Sequence, residues 1–198
     1  MENTHKSLKK GYLFKLSFCA VMIALGTVLS LLKVFQAPYG GSVTIASMLP
    51  VMLVSYFCGL GWGVGSSAIY ALIQLFLDLG SISGWGLSAS SFIGCIMFDY
   101  ILAFTALGFA GMFRKKGAST KSHLIRFGLG MLVVVAIRFL MHFISGTIIF
   151  NEWAVFQPAW LYSICYNGGF LLPDLIICVI IGFAVFTPIR KLFENYAK

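Results

Sequence analysis

Long apolar stretches, broken by short clusters of glycine, proline and polar residues, run along the whole chain. Read at helical length they predict six helices: about Leu13 to Phe35, Val43 to Cys58, Leu60 to Leu79, Leu87 to Phe113, Leu124 to Phe150 and Trp160 to Phe193. A helix needs about 20 mostly apolar residues to cross hydrocarbon, and only the second segment falls clearly short. The pattern predicts an all-α membrane protein, a compact bundle of six transmembrane helices forming one domain over residues 1–198.

Composition strengthens this reading and narrows the function. Of 198 residues, 60% are apolar and 10% charged, against about 25% charged in a soluble domain. Six crossings with short connections leave no room for a soluble catalytic or ATP-binding domain. The first apolar run continues past the length of a signal-peptide core and has no small-residue cleavage site, so it reads as a retained helix. Cys19, Cys58, Cys95, Cys165 and Cys178 are scattered singly in apolar segments and read as buried free thiols.

The formal charge of +8 could suggest nucleic acid, but the basic residues sit at the ends of apolar spans. With an even number of spans, both termini and the loop after the fourth helix share one side. That side collects Lys6, Lys9, Lys10 and Lys15, then Arg114, Lys115, Lys116, Lys121 and Arg126, then Arg190, Lys191 and Lys198. Only Lys33 and Arg138 lie elsewhere. The positive-inside rule therefore predicts cytoplasmic N- and C-termini, with the lipid bilayer and no nucleic acid as partner. Trp85, Trp153 and Trp160 fall in or beside the opposite connections, where aromatic anchoring at the interface is the expected role.

Polar side chains within the spans are costly and mark candidate sites. By helical rise, Asp99 lies about 22 Å from Arg114, His142 about 24 Å from Arg126, and Asp174 about 24 Å from Arg190. Asn167 lies about 34 Å from Arg190, with Tyr162 and Tyr166 further out. Three helices thus bring Asp99, Tyr100, His142, Tyr162 and Asn167 to similar depths in the outer half. His142, Gly146 and Phe150 follow at i, i+4 and i+8, an imidazole, a bare backbone patch and a ring on one face that suit a flat polar ligand. Arg138, one turn before His142, is expected to form an internal ion pair with Asp99 or Asp174. Asp78 and Glu152 read as solvated charges near the outer surface.

No phosphate-binding, zinc-protease or nucleophile-elbow motif is present, and no metal set or cofactor motif; the chain is expected not to be an enzyme. Ala20 and Ala24 form a small-x-x-x-small pair on the first helix, a spacing that admits another helix closely.

Several segments in order resemble a known family: Gly40-Gly41-Ser42-Val43-Thr44 leading to Leu49-Pro50, Phe98-Asp99-Tyr100-Ile101 running to Gly108-Phe109-Ala110-Gly111, Arg138 to Gly146, and Tyr162-Ser163-Ile164-Cys165-Tyr166-Asn167-Gly168. Over nearly its whole length the chain is similar to the substrate-binding S components of energy-coupling-factor (ECF) vitamin importers, in their thiamine-specific branch. The resemblance implies a subunit of a bacterial cell membrane. It would bind thiamine from outside, without a cofactor of its own, and dock on a transmembrane coupling subunit carrying two ATP-binding subunits. It also implies that Asp99 faces the cationic thiazolium, that Tyr100 lines the same pocket, and that His142 and Asn167 contact the aminopyrimidine. Tyr162 and Gly146 would complete the wall, and Ala20 and Ala24 would meet the coupling subunit. One family member carries Glu where Asp99 stands, Trp near Phe150, and another Trp and an acid around Gly41 and Ile45.

Three competing functions remain open on the residues alone. These are an S component for a related vitamin or the thiamine pyrimidine precursor, a stand-alone secondary transporter, and an intramembrane enzyme using His142 and Asp99. The last lacks a converging nucleophile or metal set.

Overall fold

Six helices build the protein, seen here in a computed structural model that describes residues 2–196. They are α1 (Glu2–Leu31), α2 (Leu49–Cys58), α3 (Leu60–Ser83), α4 (Ala89–Phe109), α5 (Thr120–Ile148) and α6 (Ala159–Tyr196). Lys198 and the side chains of Lys6, Lys9 and Lys10 lie outside what is described. Five helices are long and apolar enough to cross a membrane, and all except α2 qualify. Large apolar side chains such as Val21, Ile69, Phe76, Ile93, Leu132 and Ile180 point outward along them, as expected where lipid is the solvent.

The second segment differs from expectation. Its start and the end of the first predicted helix are not helical: Lys33–Gln36 (β1) and Ser42–Thr44 (β2) pair as an antiparallel hairpin. Alternating Val, Phe and Thr suit a strand as well as a helix, and Pro38 with Gly40 at φ +98° supplies the reversal. Ala46, at φ +59°, turns the chain into α2. The ten residues of α2 are all buried, and its length of about 15 Å spans half a bilayer core. It ends at Gly59, whose φ of +105° and ψ of 166° are accessible essentially only to glycine.

Packing follows these short connections. α2 and α3 lie against each other and α1, α3 also meets α4, and α5 runs between α4 and α6. Ser55 of α2 joins the α4 end: its hydroxyl donates to the Gly108 carbonyl at 2.5 Å and accepts from the Gly111 N–H at 2.9 Å. Within α4 the turns from Ile96 to Leu102 are π-helical, which places Asp99 and Tyr100 in the widened segment. Of the cysteines, Cys165 is exposed rather than buried, and all five are free.

Candidate functional site

The C-terminal ends of α3 and α5 and the N-terminal ends of α4 and α6 meet at one end of the bundle, beneath the β1–β2 hairpin. There they enclose a cavity of about 410 Å³, within the range of small-molecule sites. Asp99, Tyr100, His142, Gly146, Phe150, Tyr162 and Asn167 all line it. The basic residues Arg114, Lys115, Lys116, Lys121, Arg126, Arg190 and Lys191 belong to the opposite end.

Asp99 is the best-held group. His142 Nδ1 lies 2.8 Å from its Oδ1, and the Ser145 hydroxyl donates to Oδ2 at 2.5 Å. Arg138 Nε can only donate, and it donates to His142 Nε2 at 3.2 Å. That nitrogen must accept, so Nδ1 carries the proton and donates to Asp99. Both ring nitrogens are therefore engaged, and His142 offers the cavity the plane of its ring. One turn on, a side chain on Gly146 would collide with Ser163, whose Cβ would lie 3.1 Å from the added carbon. Glycine there lets α5 and α6 close on each other beside the cavity.

Arg138 makes no ion pair with Asp99 or Asp174, contrary to expectation. Its guanidinium stacks over the Phe104 ring, 4.0 Å from the centroid, a cation–π contact that suits a buried arginine. Asp174 is instead bound by the Thr44 backbone N–H at 3.3 Å and the Thr44 hydroxyl at 3.0 Å, which ties β2 to α6. Tyr166 fastens the hairpin at a second point: its hydroxyl donates to the Pro38 carbonyl and accepts from the Gly41 N–H at 3.0 Å.

Asn167 donates through Nδ2 to the Ser163 carbonyl at 2.9 Å and the Ser163 hydroxyl at 3.1 Å. Nδ2 also lies 3.3 Å from the His142 carbonyl, and Asn167 lines the cavity beside it. Tyr100 donates to Asp78 at 3.0 Å, so Asp78 belongs to the cavity wall rather than to open solvent, whereas Glu152 is exposed and outside it. Trp85 and Trp153, expected to be interfacial anchors, also line the cavity. With Phe150 they form a triad whose ring centroids lie 5.1 to 6.0 Å apart. Their position in connections on the same side as the polar residues was the signal available in the sequence.

A bundle with an apolar exterior and a polar chamber of small-molecule size at one end defines a multi-pass membrane protein equipped to hold a small ligand. The model of the thiamine transporter protein family (Thia_YuaJ) matches residues 16–194, and the chain belongs to that family. The thiamine transporter ThiT of Bacillus subtilis (strain 168) is 30% identical over 192 residues, covering 92% of this chain and 95% of that protein. A solved structure of ThiT from Listeria monocytogenes shares the fold with a TM-score of 0.72 at 24% identity, covering 92% of this chain and 98% of that one.

Proposed function

We propose that the chain is the substrate-binding S component of an ECF-type importer, capturing thiamine from outside in the cavity and releasing it inward when coupled to a transmembrane subunit and two ATPases. Family membership supports thiamine as the ligand. The observation that carries the reading is the charge of the cavity wall: Asp78, Asp99 and Asp174 against Lys33 and Arg138. This formal excess of one negative charge matches a ligand with one permanent positive charge. In a site of low dielectric, an anion without such a partner is costly.

Each lining group then has a role in binding. Asp99, fixed by His142 and Ser145, holds its carboxylate toward the thiazolium without rearranging. Phe150, Trp85 and Trp153 offer faces to flat cationic rings, and Tyr162 stacks with Tyr166 at 5.8 Å on the far wall. Asn167 Oδ1 accepts from the pyrimidine amino group, and the His142 ring lies against the pyrimidine. Tyr100 is held by Asp78 with its ring toward the ligand. The basic residues opposite the cavity support cytoplasmic termini. Ala20 and Ala24, exposed on α1, form a flat strip on which a coupling subunit could close.

Titration of the purified protein with thiamine, followed by tryptophan fluorescence, tests the ligand; saturable quenching is expected because Trp85 and Trp153 line the cavity. Tight binding of riboflavin or biotin without thiamine overturns the assignment. Proteoliposome uptake tests the coupling: thiamine should enter only with the partner subunits and ATP. Uptake by the chain alone, driven by an ion gradient, identifies a secondary transporter instead. Ala24→Trp should preserve binding and abolish partner-driven uptake.

A further inference from the structure

The basic end holds a second concavity. A groove of about 390 Å³ lies between the chain after α4 and the first turns of α5, lined by Phe113, Ser119, Lys121, Ser122, Ile125, Arg126 and Leu129. We propose that it binds an anionic phospholipid, with the phosphate held by Lys121 and Arg126 and an acyl chain lying along α5.

The polar part is organised around Arg126. Its Nε donates to the Ser122 hydroxyl at 3.2 Å and its Nη1 to the Phe113 carbonyl at 3.3 Å, which holds the guanidinium across the groove without neutralising it. Among the described residues neither Arg126 nor Lys121 has a carboxylate partner. Glu194, an acid at this end, is paired with Arg190 at 2.9 Å. Lys121 is exposed, and Lys115 and Lys116 stand in the adjoining connection.

The apolar part continues from the same groove. Ile125, Leu129 and Leu132 are 55%, 49% and 53% exposed, and they follow Lys121 at helical spacing on one face of α5. From Lys121 to Leu132 this strip runs about 16 Å, and Phe113, 38% exposed, forms the opposite wall near the top. A cationic head site joined lengthwise to an apolar strip complements a molecule with a phosphate at one end and hydrocarbon at the other. Free phosphate would leave the strip unused.

Native mass spectrometry of the full-length protein tests this, with phosphatidylglycerol and phosphatidylcholine of identical acyl chains offered at equal concentration. The expected result is retention of one phosphatidylglycerol in preference to phosphatidylcholine. Each basic residue near a bilayer surface contributes about fivefold to such binding. Retention should therefore fall about twenty-fivefold in the Lys121→Gln, Arg126→Gln double variant, while Lys191→Gln, at the same end but outside the groove, changes nothing. If the double variant does not fold, judged by its thermal midpoint, Lys121→Gln alone should lower retention about fivefold, since among the described residues its side chain has no hydrogen-bond partner. Equal retention of the two lipids, equal loss in Lys191→Gln, unchanged retention in the groove variants, or displacement by millimolar inorganic phosphate overturns the proposal.

Discussion

At the basic end of the bundle, Tyr56, Phe57, Phe127, Phe186 and Phe193 fill the space among α2, α5 and α6 with rings whose centroids lie 5.1 to 5.7 Å apart. At the other end, α5 and α6 meet where Gly146 faces Ser163 and Asn167, which donate to the Phe143 and His142 carbonyls of α5, and they leave a chamber beside them. One end is stabilised by contact between large side chains; the other is held open by hydrogen bonds from small ones. Binding and folding should therefore respond to different residues, even on the same helix.

The sharpest test sets one substitution at each end against the other. Phe127→Ala removes a fully buried ring from the filled end and should cost about 4 kcal/mol of stability, read as a lowered thermal midpoint in detergent. Thiamine affinity of the folded fraction should stay within about twofold, and a large affinity loss would show that the ends are not separable. Asp99→Ala should do the reverse. Losing the fixed anion should weaken thiamine binding by about 3 kcal/mol, roughly a hundredfold by calorimetry, with little change in thermal midpoint.

Smaller effects refine the open end. Trp153→Ala should reduce affinity by about 1 kcal/mol, roughly fivefold, as a ring face is removed from a cationic ligand. Tyr100→Phe removes only the hydroxyl that meets Asp78 and should weaken binding by about 0.5 kcal/mol, roughly twofold. If Tyr100→Phe costs as much as Asp99→Ala, the cation sits nearer Asp78 than proposed.

The filled end and the five long helices were legible from hydropathy, because a span in lipid must be apolar over a fixed length. Residues 32–48 were not: Val34, Phe35, Val43 and Ile45 carry the apolar signal of a helix, while the hairpin depends on pairing and on Ala46 at a positive φ. In the chamber, Asp99, His142 and Asn167 were visible as polar residues at matched depth. Arg138 was assigned the wrong partner because helical spacing shows which way a side chain faces, not whether an aromatic ring or a carboxylate waits there. Trp85 and Trp153 were read as anchors because a tryptophan near the interface has the same sequence surroundings in either role.

The π-helical turns of α4 separate two jobs within one rod. One extra residue in a turn rotates everything before it by about 100° relative to an uninterrupted α-helix. Removing one residue between Ile96 and Leu102 would restore regular winding and swing the outer segment away from the chamber, without disturbing Leu107 or Ala110 in the packed half. The defect acts as a phase shifter, through which the aim of the ligand-facing segment can be adjusted independently of the helix that supports it.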